Sequence, residues 1–90
     1  MYKLIFAPQA LEDLSKLKKS EPAAFKKAGK LLAELQEHPQ TGTGKPEQLK
    51  GDRSGQWSRK ISIKHRLIYE IKESIVNVDV LSAYGHYEEH

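Results

Sequence analysis

Pro39 divides this chain into two kinds of apolar pattern. Before it, Ala24, Ala28, Leu31 and Leu35, flanked by Phe25 and Leu32, recur at the three- and four-residue spacing that lays one stripe along a helix. After it, "QWSRKISI", "HRLIYEI" and "SIVNVDVLSAY" are rich in the β-branched and aromatic residues of strands. A helix does not run on through Pro39, because the ring removes an N–H and clashes with the preceding turn. Helices therefore come first and a sheet second. At 90 residues the limit is one sheet packed on one helical layer.

The remaining elements follow from the same signals. "YKLIF", residues 2 to 6, is predicted to be a short strand, and Pro8 suits the start of a helix in which Ala10, Leu11, Leu14 and Leu17 share one face. That helix ends in "KLKKS", where the macrodipole favours cations, and Ser20 with Glu21 is expected to cap the second helix. "PEQLK" is a further short strand, "GDRSG" a turn and "KESI" a tight connection, so the C-terminal strands are expected to pair antiparallel. The predicted fold is α+β over one domain, residues 1–90: an N-terminal strand, two helices, then an antiparallel sheet of three to four strands with the helices on one face.

Alternation sorts the strand residues. Trp57, Ile61 and Ile63 are expected to face the core, as are Leu67, Tyr69 and Ile71, while Ser58, Lys60 and Arg66 face the other way. Arg59 falls on the Trp57 side and is expected near an edge, its stem buried and its head in water. Val76, Val78 and Val80 share a face, and Gly85 predicts a kink that turns His86 out of it.

Net charge is +3, but its distribution is uneven. Residues 41 to 70 carry seven basic and three acidic side chains, a local +4, whereas residues 71 to 90 carry one basic and four acidic, a local −3. The middle of the chain is the side that faces an anion. The absence of cysteine excludes disulfides and thiolate metal sites, and suits a reducing cytoplasm. "MYKLIF" is too short for a signal segment and no later apolar run is long enough to span a bilayer, so a cytoplasmic protein with no membrane partner is expected. "TGTGKP" lacks the spacing of a nucleotide-binding loop.

Taken singly, the polar residues of this basic region have plain readings. Glu47 could pair with Lys45 or Lys50, Arg66 could be an exposed strand cation, His65 a half-buried filler, and His86 beside Tyr87 part of a tail. Together, a carboxylate, an arginine and a histidine amid lysines are the groups that cleave RNA without a metal. Attack of a ribose 2′-hydroxyl on its own 3′-phosphate needs a base, a cation for the phosphorane and an acid for the leaving 5′-oxygen.

These residues also carry a resemblance. "GTGKPEQLKGDRSGQWSRKISIKHRLIYEI" with a terminal "GHY" resembles the Txe/YoeB family of bacterial toxins in the RelE/ParE superfamily, densely from Gly42 to Tyr87 and more loosely before that. The resemblance implies a ribosome-dependent mRNA endonuclease without cofactor or metal. Its implied partners are a small cognate antitoxin, the 70S ribosome with its mRNA and, as in many members, a second copy of the toxin. Carried over by motif, Glu47 is the implied general base, Arg66 the transition-state cation, His86 the general acid and Tyr87 a group that orients or stacks on the substrate nucleotide. Lys45, Lys50, Arg59, Lys60 and His65 are the expected RNA-binding groups, with Lys60 standing where close relatives carry arginine. Two alternatives stay open: a gyrase poison of the ParE branch, and a module that blocks ribosomes by occupancy alone.

Overall fold

The computed structural model describes residues 1–85. The chain runs β1 (Lys3–Phe6), α1 (Pro8–Ser20), α2 (Pro22–Glu37), β2 (Glu47–Gln48), β3 (Gln56–Lys60), β4 (Arg66–Lys72) and β5 (Asn77–Ser82), with single 3₁₀ turns at Gly51–Arg53 and Glu73–Ile75. The strands form one sheet in the order β1-β5-β4-β3-β2. β2 to β5 pair antiparallel as their short connections predict, whereas β1 lies parallel to β5, Leu4 opposite Val78 and Phe6 opposite Val80. No local turn joins β1 to β5. Their pairing depends on the long helical crossover and on the shared core, which leaves no short-range signal in the sequence. Among the described residues, no helix is long and apolar enough to cross a membrane.

Both helices press their apolar stripes on one sheet face. Ala10 and Leu17 of α1, and Ala24, Ala28, Leu31 and Leu35 of α2, meet Leu67, Tyr69, Val78 and Val80 in one buried cluster, with Leu14, Trp57 and Ile71 packed at its margin. Four expectations change. Leu11 is 56% exposed, and Asp13 takes a buried place on α1 instead, accepting from the Ala83 amide (2.9 Å) and from Gln9 (2.7 Å). Neither Ser20 nor Glu21 caps α2 with its side chain: the Ser20 hydroxyl donates back to Lys16 O, and Glu21 turns its carboxylate to His65. Ile63 is 81% exposed because β3 stops at Lys60 and residues beyond it enter a turn closed by Ile61 and Ser62 amides on His65 O. Val76 leaves the β5 face with φ +53°, the turn between the Glu73–Ile75 segment and the strand.

Arg59 lies in the core, not at an edge. Its side chain is fully buried and all five N–H donors are used: Nε to the Tyr69 hydroxyl (3.1 Å), Nη1 to Glu34 (3.0 Å) and Thr43 O (3.3 Å), and Nη2 to His38 O and Thr41 O (2.6 Å). Tyr69 in turn donates to Pro39 O at 2.7 Å, and the Thr43 amide donates to Glu34 at 2.8 Å. A planar cation with five directed donors is well suited to collect several carbonyls at once. The cluster ties the segment between α2 and β2 to the middle of the sheet. Gly44 completes the tie: its carbonyl accepts from the Lys60 amide at 2.7 Å, its φ is +86°, and a Cβ would stand 2.9 Å from Lys60 O. Burial raises the Tyr69 hydroxyl above its ordinary pKa.

Glu34 gives this tie a pH dependence. Its carboxyl is held below the ordinary glutamate value, first by the Thr43 amide and then by Arg59. A carboxylate depressed in the folded state binds its proton more weakly than in the unfolded chain, so its contribution is complete above the unfolded pKa and is lost as the pH falls through the folded one. Stability should therefore fall in acid more steeply for the native chain than for Glu34→Gln. Urea unfolding at a series of pH values tests this, and parallel curves for the two proteins would remove Glu34 from the account.

Candidate active site

The sheet face away from the helices brings Glu47 and Arg66 together. Glu47 stands opposite Ser58 in the β2–β3 register, and Arg66 begins β4 opposite Lys60. Alternation then puts Glu47, Ser58, Lys60 and Arg66 on one face. The Arg66 Nη1 donates to the Ser58 hydroxyl at 3.3 Å and lies 3.7 Å from a Glu47 carboxylate oxygen. The Ser58 backbone is part of the ladder and its side chain is buried, so it steadies the guanidinium from below. The side chains of Glu47 and Arg66 stay 52% and 26% exposed.

β2 is only two residues long, so its place depends on what precedes and follows it. The Arg59 cluster holds residues 38 to 43, Gly44 is bonded to Lys60, and the Leu49 amide closes the far end on Gln56 O at 2.9 Å. Leu49 is buried on the same side as Glu47, as is Ile68 of β4; both are outside the helix-side core and give this face an apolar floor. Lys45 takes φ +52°, a conformation that a residue with a side chain adopts at a cost of about 1 kcal/mol or more.

Three of the expected RNA-binding lysines are exposed around this pair. Lys50 opens the Gly51–Arg53 turn. Lys45 and Lys60 line one cleft at the sheet edge together with Lys27 of α2, Gly44 and the turn residues Ile61 to Ile63. No carboxylate lies within ion-pair distance of Lys27, Lys45 or Lys60 among the described residues. Arg59 and His65, by contrast, have no surface to offer RNA. Arg59 is spent inside the fold, and His65 is 3% exposed, its Nε2 2.6 Å from Glu21 and its Nδ1 accepting from the Gly85 amide at 2.8 Å. Both expectations are corrected on the same ground: every polar atom of these side chains already has a protein partner. His86 and Tyr87 lie outside the described residues.

Sequence reasoning missed Ser58 as the arginine's support and Glu34 as Arg59's partner. The second had a signal. Arg59 falls on the inward side by strict alternation, and a cation at an inward position calls for an acceptor within reach, which Glu34 provides, half-buried, from beside Leu31 and Leu35 on α2.

Known proteins are similar to this chain in sequence and in fold. Residues 6–87 match the model of the YoeB-like toxins of bacterial type II toxin-antitoxin systems. Toxin YoeB of Mycobacterium bovis is 38% identical over 82 residues, 91% of this chain and 94% of that protein. Among solved structures, the YoeB/ParE toxin of Agrobacterium tumefaciens superposes with a TM-score of 0.88 at 32% identity, covering 94% of this chain and 99% of the other. YoeB of Staphylococcus aureus, solved in complex with YefM, gives 0.81 at 32% identity over 97% of this chain and 99% of that one, and the dimer of the same toxin gives 0.82 over 96% and 98%. The α+β fold with its N-terminal strand, helix pair and mostly antiparallel sheet is theirs, and this chain belongs to the YoeB-like toxins of bacterial type II toxin-antitoxin systems.

Proposed function

We propose that this toxin is an endoribonuclease that cuts mRNA on the translating ribosome, with its own side chains as acid and base. The observation that carries the reading is the pairing of Glu47 with Arg66 on the sheet face away from the helices, 3.7 Å apart and flanked by lysines that no carboxylate neutralises among the described residues. A phosphate bound by Arg66 sits beside Glu47. The carboxylate takes the proton of the 2′-hydroxyl, the 2′-oxygen bonds to phosphorus, and the P–O5′ bond breaks with its electron pair on the 5′-oxygen. Arg66 holds the added negative charge of the phosphorane. His86 returns a proton to the 5′-oxygen and Tyr87 orients or stacks on the nucleotide. The products are a 2′,3′-cyclic phosphate and a 5′-hydroxyl.

Lys45, Lys50 and Lys60 carry the RNA backbone toward this pair. One toxin domain of 90 residues offers little surface for holding RNA in line, so substrate geometry is supplied by the 70S ribosome. By analogy with the S. aureus complex, an antitoxin neutralises the chain in the cytoplasm, and a second copy of the toxin is a further partner. Purified toxin added to programmed ribosomes should produce new 5′ ends at the A-site codon. Equal cutting of naked RNA would overturn the ribosome requirement. Intact mRNA with supercoiling defects would favour gyrase, and translational arrest without cuts would leave a binding module.

A further inference from the structure

His65, withdrawn above as an RNA contact, sits where two parts of the chain meet. Its Nε2 is 2.6 Å from the Glu21 carboxylate at the junction of α1 and α2. Its Nδ1 accepts from the Gly85 amide at 2.8 Å, and its ring packs on Tyr84 at 4.4 Å between centroids. An imidazole nitrogen that accepts an amide N–H carries no proton, so the other nitrogen carries it and donates to Glu21. The Gly85 carbonyl is held as well, accepting from the Arg66 amide at 3.0 Å. One peptide unit before His86, the backbone is thus bonded on one side to His65 and on the other to the residue that supplies the site's cation.

Gly85 is also where the chain changes direction. Its φ of +78° is a left-handed conformation, and a Cβ there would meet nothing within 4 Å, so glycine is required by the turn and not by crowding. A turn at a glycine is cheap to undo, because glycine has more conformations to return to than any other residue. The two hydrogen bonds of Gly85, one from its N–H and one to its carbonyl, are what select one of them.

We infer that His65 is a positioning residue for RNA cleavage: its Nδ1 fixes the Gly85 amide, and with it the backbone that leads toward the acid, against Arg66. The inference rests on the endonuclease reading, in which His86 is the acid. An acid that starts from one geometry reaches the leaving oxygen more often than one on a loose tether, and misplacement of a reacting group by about 1 Å can cost on the order of 10²-fold in rate.

Two substitutions separate the two ring nitrogens. His65→Asn keeps an acceptor near the Nδ1 position and gives up Glu21, whereas His65→Gln reaches Glu21 and gives up the Gly85 amide. The Gly85 amide should exchange slowly in the native toxin and in His65→Asn, and rapidly in His65→Gln. Single-turnover cleavage on programmed ribosomes should fall about ten- to hundredfold in His65→Gln with ribosome affinity unchanged, and only a few-fold in His65→Asn. Equal slowing of both variants, or native cleavage by His65→Gln with its Gly85 amide free, overturns the inference. The native protein gives an independent check, since ¹⁵N spectra report the tautomer: an unprotonated Nδ1 supports the clasp, and a protonated one removes it even if neither variant folds. A native toxin that protects Gly85 yet cuts no RNA would instead sink the endonuclease reading and leave the clasp standing.

Discussion

Glu47→Gln is expected to slow single-turnover cleavage on programmed ribosomes by about 10²- to 10⁴-fold, the range for a positioned general base. The amide keeps the shape of the side chain and an oxygen toward Arg66, but it accepts no proton from a 2′-hydroxyl. The effect should be confined to chemistry. Glu47 and Arg66 form a partly exposed pair, 52% and 26%, and pairs of that kind contribute about 0 to 1 kcal/mol to stability. Urea unfolding should therefore hardly change, ribosome binding should persist, and the pH–rate profile should lose the limb that belongs to the base. Unchanged cleavage by Glu47→Gln would leave the carboxylate as an ion-pair partner of Arg66 and move the base elsewhere.

Arg59→Met should lower stability by about 3 kcal/mol, the low end for removing one member of a buried pair, because Arg59 is fully buried whereas the Glu34 side chain is 24% exposed. Three backbone carbonyls, a tyrosine hydroxyl and the Glu34 carboxylate lose their common donor at once. Buried acceptors left unmatched cost about 1 to 3 kcal/mol each, reduced here where the loop opens to water. Small proteins have only about 5 to 15 kcal/mol in all, so this change approaches the limit of folding. Arg59→Lys should recover little, because one ammonium with three donors cannot span acceptors gathered around a planar fork. Glu34→Gln should cost less than Arg59→Met, since an amide oxygen still accepts from the Thr43 amide. A loss below about 1 kcal/mol for Arg59→Met would mean that the Gly44 carbonyl and the Leu49 amide hold the loop by themselves. If the variant folds, its cleavage should also fall, because the segment that Arg59 collects leads into the two-residue strand carrying Glu47.

Local chemistry made most of the elements legible. The stripe of Ala24, Ala28, Leu31 and Leu35 is buried as its spacing predicts, and Leu67, Tyr69, Val78 and Val80 face the helices as alternation requires. The candidate site was legible in a different way. Glu47 and Arg66 are nineteen positions apart, and it was the conjunction of residue types and the family resemblance that linked them; the antiparallel register then brings them to 3.7 Å.

Other assignments could not be made from neighbours in sequence. Whether Arg59 reaches water or is enclosed depends on a loop that returns from α2 to cover it, with acceptors at residues 34, 38, 41, 43 and 69. Whether His65 meets a ligand depends on Glu21 and Gly85, which lie 44 and 20 positions away. The parallel seating of β1 beside β5 likewise joins the two ends of the fold. Periodicity acts over a turn or a strand, so the sequence by itself determined which segments are helices and strands and, apart from Leu11, Ile63 and Val76, which face of each is apolar. Only the tertiary structure decided which polar side chains are enclosed, because a buried cation or imidazole is stable only when distant parts of the chain supply its hydrogen-bond partners.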